Sequence, residues 1–529
     1  MTTRRHLLQS LSTASGALVL APRGSGGGET GGVRPVPGRD PIDDPAQEWP
    51  SFHLQAGESP LPEPLAFGVG FNWFDHLGSG GFYARYRGYP LDAPVYPDLA
   101  DEAAWGEIRT ALDETRPGFL RFGLPPDPHV AGDGSFRGGT VHLKRLAWLD
   151  GWARKNGCTI LLDPFLIPSF HEFPAPPSAD GSVNCNMAPS DNTAYARRFV
   201  APLLRHVVVD LGLESVRLFN PVNEPMEYGV YQTPSGGPDV YRHYVEMYRQ
   251  MRLALDRAGV PRERVGLVGC DTYTHRTLFL PEQMARGIDL DPFVDAYSVH
   301  FYSLRLDALP PSEGSWTSPI GDLMSLTGRQ VAYCRERGKR LLAAEMGTFY
   351  YGWRLNDPAG VASADATLTV AEGVVRGMNV GLGAFGFWSF MNPNDIDGWF
   401  GIVGLDEKRK LARTRHPWGV YGLLSRHSRP GSRVYPLELV PSRNLSPVHG
   451  TALVAPSGER TILFVHDEGS RRCRVELRLP EALRARRWSR LTTDRVRIRQ
   501  ALPTLEPPDP GMLSVVLNPF SLTVLHAPA

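Results

Sequence analysis

The sequence has little that would indicate a metal centre, a polyanionic partner or a membrane span. Its five cysteines are far apart, and no Cys-x-x-Cys pair or His/Cys cluster offers zinc ligands. Its 56 basic and 56 acidic residues balance, so no excess of charge favours nucleic acid or an anionic lipid surface. No stretch of about 18 uninterrupted apolar residues follows the N-terminus, so we expect no membrane span. A length of 529 residues predicts two or three domains.

Motifs for cofactors and metals are missing as well. Gly68 and Gly70 lie inside the first predicted strand and lack the third glycine of a phosphate-binding loop, which argues against a doubly wound dinucleotide-binding sheet. Asp395 and Asp397 lack the glutamate at the twelfth position of an EF-hand loop, so a sugar-binding rim is the better interpretation. No His-x-His ends the first strand, which disfavours a metal-dependent barrel hydrolase. We therefore predict no cofactor and no metal.

The N-terminal region resembles an export signal. Arg4 and Arg5 precede a modestly apolar stretch that ends near Ala21, as in twin-arginine signal peptides. We therefore predict a signal peptide over residues 1–22 and an exported protein; the alternative is a disordered tail with a chance arginine pair. Residues 23–60 are rich in glycine and proline and predict a disordered linker, with ordered protein expected to begin near Phe52 or Pro64.

Two further regions differ in their periodicity. Between residues 61 and 424 eight short apolar runs alternate with helical segments, which predicts an α/β fold, a (β/α)₈ TIM barrel. The runs are Leu65–Trp73, Gly118–Gly123, Cys158–Pro164, Ser215–Phe219, Val265–Cys270, Val294–Tyr302, Arg340–Gly347 and Ala384–Phe390. Residues 425–529 contain short alternating runs separated by turn residues, which predict a C-terminal all-β sandwich domain.

Two glutamates follow or end predicted strands of the barrel. The fourth strand leads into Asn223-Glu224-Pro225, where the proline prevents a helix from continuing, and the seventh strand ends in Glu345. Barrel enzymes do their chemistry at this end of the strands. Either glutamate alone could simply pair with an arginine. A pair is what glycoside cleavage requires, because one carboxyl must donate a proton while the other stays ionised.

These residues resemble those of a large clan of retaining β-glycosidases built on (β/α)₈ barrels, which includes cellulases, mannanases, xylosidases and galactosidases. The resemblance rests on Asn223-Glu224-Pro225 at strand four and Glu345 at strand seven, and it covers roughly residues 65–400. Further matching positions are Arg121 on strand two, His300 and Tyr302 on strand six, and Trp388 on strand eight.

The resemblance implies a role for each of these residues. Glu345 would be the nucleophile, and Glu224 the acid that protonates the leaving oxygen and then the base that activates water. The substrate-binding residues would be Asn223, Arg121, His300, Tyr302 and Trp388. Each of the last four also has a purely structural interpretation, as a packed or ion-paired barrel residue.

The predicted function is thus retaining hydrolysis of β-glycosidic bonds in a polysaccharide or oligosaccharide, without a cofactor. Two alternatives stay open at this point. One is a non-catalytic carbohydrate-binding protein, and the other is a transglycosylase that uses the same residues.

Overall fold

The computed structural model describes residues 49–74, 98–124, 126–164, 189–223, 238–273, 289–303, 320–348, 364–391, 402–405, 411–412, 416–440, 447–467 and 471–529. All of them belong to one compact unit, Glu48–Ala529. The predicted signal peptide and most of the predicted linker lie outside the described residues. Within the described ranges no helix combines the length and apolar character that crossing a membrane requires.

The first strand, β1 (Ser51–Ala56), belongs to the C-terminal sheet, and the next eight form a closed barrel of parallel strands in chain order. Its strands are β2 (Gly68–Phe74), β3 (Phe119–Gly123), β4 (Thr159–Asp163), β5 (Val216–Phe219), β6 (Gly266–Tyr273), β7 (Ala296–Ser303), β8 (Arg340–Thr348) and β9 (Ala384–Phe387). The strand β9 pairs with β2 in parallel and closes the ring. The predicted fold class is confirmed.

Helices alternate with these strands. They are α1 (Glu102–Thr115), α2 (Val141–Asn156), α4 (Pro238–Arg257), α5 (Ile320–Glu336), α6 (Ala364–Val380) and α7 (His416–His427). Between α2 and α4 runs α3, a continuous helical segment made of Asn192–Ala194, Tyr195–Val200, Ala201–Arg205 and His206–Asp210.

Local signals in the sequence set the ends of these elements. Thr140 caps α2 by accepting a hydrogen bond from the backbone N–H of Leu143. Gly157 ends the same helix at φ 65°, a left-handed conformation that glycine adopts without steric cost. The chain then enters β4 two residues later, which brings Asp163 to the carboxyl end of the barrel.

Both faces of the barrel strands are buried, which explains their nearly continuous apolar sequences. Inside the barrel one layer of side chains fills the centre. It consists of Phe119, Leu161, Leu218, Val268, Ala296, Leu342, Ala344 and Ala384, all at most 5% exposed. A larger cluster fills the space between strands and helices. The barrel is therefore a packed core, with chemistry confined to its ends.

The remaining strands build the C-terminal all-β domain. After a short hairpin, β10 (Gly404–Leu405) and β11 (Leu411–Ala412), come β12 (Arg433–Leu439), β13 (Val448–Val454), β14 (Arg460–His466), β15 (Cys473–Arg478), β16 (Trp488–Thr493), β17 (Gln500–Leu505), β18 (Met512–Leu517) and β19 (Ser521–Ala527). With β1 they form one sheet in the order β17-β16-β19-β14-β13-β12-β1-β15-β18. Apolar residues from both halves of this sheet share a separate core, as expected for a sandwich.

The strand β1 differs from the sequence-based expectation, which placed residues 51–56 in a disordered linker. It lies between β12 and β15, antiparallel to the first and parallel to the second. Leu54 and Ala56 are buried, and Phe52 packs against the same core. The alternation of Phe52, Leu54 and Ala56 is that of a strand, so the linker prediction is wrong for these six residues.

Candidate active site

Arg121 is the centre of a polar cluster at the carboxyl end of the barrel. It extends from β3, is 2% exposed, and donates hydrogen bonds through every nitrogen of its guanidinium group. Nη1 lies 2.9 Å from Oε2 of Glu345, and Nη2 lies 2.6 Å from Oδ1 of Asn223. Nη1 is also 3.4 Å from Nε2 of His300. Four of the predicted site residues, from four different strands or strand ends, therefore meet at one point.

Two aspartates complete the ion pairs of this arginine. Oδ2 of Asp163 accepts from Nε at 2.7 Å and also contacts Nη2. Oδ2 of Asp271, on β6, accepts from Nη2 at 2.7 Å. Asp271 was missed at the sequence level, because the predicted fifth strand stopped at Cys270. The signal was present, since Asp271 directly follows that apolar run.

Amide side chains hold these carboxylates in place. Asn220 donates from Nδ2 to Oδ2 of Asp163 at 3.0 Å and to Oδ2 of Asp271 at 2.6 Å. Asn72, on β2, donates to the backbone carbonyls of Ala344 and Gly386 at 3.0 Å and thereby ties three strands together. Both asparagines are fully buried, and Oδ1 of Asn72 accepts from Nη1 of Arg121 at 3.4 Å.

The segment that presents Asn223 is anchored by α3. The hydroxyl of Tyr195 donates to the carbonyl of Pro221 at 2.9 Å. Asn223 is 7% exposed, and its Oδ1 accepts a hydrogen bond from Arg121. Glu224, the predicted acid, lies outside the described residues.

His300 lies between two carboxylates. Its Nε2 is 3.0 Å from Oδ1 of Asp271, and its Nδ1 is 3.5 Å from Oε2 of Glu345. The ring is fully buried. The prediction that His300 belongs to the site is consistent with this position beside Glu345, while contact with a sugar stays a prediction.

Breaks in strand register place these groups opposite one another. Between β7 and β8 the pairing changes after Val299, and the shift makes Glu345 the direct neighbour of His300. Between β6 and β7 the pairing jumps from Gly269 to Thr272, so that Cys270 and Asp271 are inserted against a single residue. Such bulges re-aim side chains and are frequent beside active sites.

Charge is unevenly distributed in this buried cluster, because three carboxylates share one guanidinium. Burial raises the pKa of Asp163, and the nearby charge of Asp271 adds to the rise against the opposing effect of Arg121. Burial also favours the neutral form of Asp271, yet Arg121 and His300 together lower its pKa to about 2. Although burial alone lowers the pKa of Arg121, the three carboxylates raise it above its usual value.

The last two predicted substrate-binding residues can be placed only in part. Trp388 follows β9, is 8% exposed, and donates its backbone N–H to the carbonyl of Met346 at 2.9 Å. The peptide bond between Trp388 and Ser389 is cis. Tyr302 lies on β7 with its backbone paired to Gly347, and its side chain is outside the described part.

Among the described residues, one group has a composition that could hold a metal ion. Glu372 on α6, His449 on β13 and Asp467 after β14 place their ligand atoms within 4.8 Å of one another. Oε1 of Glu372 already pairs with Nη1 of Arg376 at 2.7 Å and lies 3.2 Å from Nε2 of His449. Because Arg376 already neutralises this carboxylate, we interpret the group as an ion-paired contact between α6 and the C-terminal sheet.

No model of a protein family matches the sequence, and no curated protein is detectably similar to it. Solved structures, by contrast, are similar in fold. A GH30 endoxylanase from Clostridium papyrosolvens C71 aligns with a TM-score of 0.58 at 14% identity, over 90% of this chain and 100% of that one. An α-L-arabinofuranosidase from Thermotoga maritima aligns with a TM-score of 0.55 at 14% identity, again over 90% and 100%.

A conserved exported protein from Bacteroides fragilis gives a TM-score of 0.60 at 11% identity, with the same coverage. The chain thus has the fold of the (β/α)₈-barrel glycoside hydrolases, and the resemblance predicted from the sequence is confirmed at the level of the fold. At these identities the similarity shows the fold alone.

Proposed function

We propose that this protein is a retaining glycoside hydrolase that cleaves β-glycosidic bonds in a polysaccharide or oligosaccharide. The observation that carries the proposal is the environment of Glu345. One of its oxygens, Oε2, lies 2.9 Å from the guanidinium of Arg121 and 3.5 Å from the ring of His300, so cationic and N–H groups favour its ionised form. An ionised carboxylate at the end of the seventh barrel strand is what a nucleophile for glycosyl transfer requires.

The reaction proceeds by double displacement. An oxygen of Glu345 forms a bond to the anomeric carbon, while the bond to the leaving oxygen breaks and Glu224 donates its proton to that oxygen. Glu224 then removes a proton from water. The resulting hydroxide attacks the anomeric carbon, and Glu345 leaves as a carboxylate. Two displacements at one carbon retain its configuration.

The contact of Asn223 with Arg121 supports a role for this amide in sugar binding. Its Oδ1 accepts from Arg121 at 2.6 Å, which assigns the oxygen and directs Nδ2 to other partners. In the proposed reaction this amino group donates to the 2-hydroxyl of the sugar, a contact that strengthens in the transition state. Tyr302 is proposed to contact Glu345, and Trp388 is proposed to form the floor of the sugar subsite.

The similar structures support the class of reaction and leave the sugar open. Those reported above include a xylanase and an arabinofuranosidase, so one fold serves more than one glycoside. We therefore propose a carbohydrate substrate without assigning the sugar.

We also propose that the protein is exported through its twin-arginine signal. The conserved exported protein of the same fold is in line with this location. Replacing both Arg4 and Arg5 by Lys is expected to keep the protein inside the cell, as shown by immunoblots of cell and exported fractions. Unchanged export of this variant would contradict the route.

The test of the activity is a panel of methyl β-glycosides and β-linked oligosaccharides, whose poor leaving groups require protonation, with wild type, Glu224→Gln and Glu345→Gln. We expect one sugar to be hydrolysed, with the anomeric configuration retained by NMR, and both variants to lose on the order of 10⁴-fold in kcat/KM. Glu372→Gln is the matched control and should keep wild-type activity, because the contacts of this carboxylate are to Arg376 on α6 and to His449 of the C-terminal sheet.

Survival of activity in either site variant would refute the assignment of that residue. Inversion of configuration would refute the covalent intermediate. A panel that is inert in every case, with sugars that still bind, would support a carbohydrate-binding protein instead.

A further inference from the structure

We propose that Asp271 is a positioning residue that holds His300, as an imidazolium, against the nucleophile Glu345. The effect of Asp271 on catalysis rests on the proposed glycosidase function, whereas the protonation state of His300 does not.

The four groups form a closed ring. Arg121 contacts Glu345 at 2.9 Å, and Glu345 lies 3.5 Å from Nδ1 of His300. On the other side, Nε2 of His300 lies 3.0 Å from Oδ1 of Asp271, whose Oδ2 is 2.7 Å from Arg121. Glu345 and Asp271 therefore each contact both the guanidinium of Arg121 and the imidazole of His300.

The contacts of the ring nitrogens indicate that His300 carries two protons. A neutral imidazole has one N–H and one lone pair, so one of its nitrogens would direct a lone pair at a carboxylate oxygen. The imidazolium donates from Nε2 to Asp271 and places its positive charge 3.5 Å from Oε2 of Glu345, so it interacts favourably with both carboxylates. Three described groups face the ring: Asp271 from β6, Glu345 from β8 and Arg121 from β3.

Counting charges supports the same state. Arg121 is the cation that opposes a second positive charge, since its Nη1 lies 3.4 Å from Nε2 of His300. However, it is shared by Asp163, Asp271 and Glu345. Three carboxylates face one guanidinium, and a protonated His300 reduces the net charge of the buried cluster from −2 to −1. An uncompensated charge in such a dry site would be costly.

The backbone is distorted at the point where Asp271 enters the ring. Cys270 and Asp271 have φ values of 67° and 37°, in the left-handed region that costs a side-chain-bearing residue energy. The same two residues form the bulge of β6. Asn220 fixes the result by donating to Oδ2 of Asp271 at 2.6 Å. The chain thus departs from regular geometry in the segment that directs this carboxylate at His300 and Arg121.

The direct test is the protonation state of His300, read from ¹⁵N NMR of histidine-labelled protein. The signal is identified by its loss in His300→Gln. We expect wild type at pH 7 to show two protonated ring nitrogens, and Asp271→Asn to show one unprotonated nitrogen, because its amide no longer balances a second cation. Asp295→Asn, which removes an ion-paired aspartate at the other end of β7, should leave the signal unchanged.

The kinetic test uses the glycoside hydrolysed by wild type. Asp271→Asn should lower kcat on the order of 10²-fold with KM within a few-fold, because the nucleophile loses its alignment while the sugar contacts persist. Asp295→Asn should keep wild-type kinetics. Thermal unfolding checks that each variant is folded, and Asp271→Glu replaces Asp271→Asn if the latter does not fold.

A neutral His300 in wild type, or an unchanged signal in Asp271→Asn, would overturn the proposal. Wild-type kcat in an Asp271 variant with a changed His300 would overturn its role towards Glu345. If wild type hydrolyses no glycoside, the proposed function fails, and the NMR result still decides whether Asp271 holds His300 as a cation.

Discussion

The ion-pair networks at the two ends of the barrel have opposite ratios of positive to negative groups. At the carboxyl end one arginine, Arg121, pairs with three carboxylates. At the amino end one aspartate, Asp295, pairs with two arginines, Arg252 and Arg262, and accepts from the backbone N–H of Leu267 at 2.8 Å. The first network has an excess of negative charge, and the second has an excess of positive charge.

The degree of burial determines how much the excess charge costs in each network. The side chains of Arg121 and its carboxylates are at most 7% exposed, whereas those of Asp295, Arg252 and Arg262 are 26%, 13% and 46% exposed. Water and salt screen the second network, so its extra charge costs little. In the dry network the extra charge must be relieved by protonation. This is how a buried cluster acquires groups with displaced pKa values that can do chemistry.

Removing the central arginine should give the largest difference between the two ends. Arg121→Met leaves Asp163, Asp271 and Glu345 without their guanidinium, and we expect a loss of about 3–5 kcal/mol in the free energy of unfolding. Activity should be lost as well. Urea unfolding at pH 7 measures the first effect, and a loss below 1 kcal/mol would show that the cluster is less dry than its exposure indicates.

The second prediction separates the two aspartates of the buried network by their pH dependence. Because its pKa is lowered to about 2, Asp271 stabilises the folded state above its unfolded pKa near 4, and this contribution disappears as the pH falls towards 2. Asp163 has the opposite sign. Its raised pKa penalises the folded state at neutral pH, and the penalty is relieved as the pH falls.

Asp271→Asn should therefore cost more stability at pH 7 than Asp163→Asn, and the difference should shrink towards pH 3. Urea unfolding of both variants between pH 3 and pH 8 is the measurement. Equal losses at every pH would mean that the two carboxylates carry the same charge.

The sequence predicted part of this site because barrel geometry converts strand ends into neighbours. Arg121, Asn223, His300 and Glu345 come from distant parts of the chain, yet each lies on or just after an apolar run, and parallel strands bring these ends together. Asp271 also directly follows an apolar run, so its place at a strand end could have been predicted. The direction of its carboxylate could not, because it depends on a bulge and on left-handed backbone at Cys270, neither of which hydrophobic periodicity reveals.

The strand β1 was missed for a different reason. Its own alternation is visible at Phe52, Leu54 and Ala56, but it follows a long stretch rich in glycine and proline. Its partners are β12 and β15, which begin at Arg433 and Cys473. Pairing over such a sequence distance cannot be read from local composition.

At the amino end, Arg252→Met should have an intermediate effect. Arg252 is mostly buried, donates from Nε to the carbonyl of Phe293 at 2.8 Å, and pairs with Asp295. Its loss leaves that carbonyl without this donor, while Asp295 keeps Arg262 and the N–H of Leu267. We expect a loss of about 1–2 kcal/mol in urea unfolding, with kcat unchanged. A change in kcat would mean that the two ends are coupled through β7.

The smallest effect should come from Arg262→Met. Arg262 is 46% exposed, and its Nε lies 2.6 Å from Oδ1 of Asp295, so water competes for both partners. A double-mutant cycle with Asp295→Asn should give a coupling energy of about 0.5 kcal/mol, as for exposed ion pairs. This coupling should decline between about 0.15 M and 1 M salt, because the screening length shortens from about 8 Å to about 3 Å.

The corresponding cycle of Arg121→Met with Asp271→Asn should give a coupling energy above about 2 kcal/mol that changes little with salt, since ions do not enter the buried cluster. If the two cycles had similar magnitudes and salt responses, burial would not be what distinguishes the two ends of this barrel.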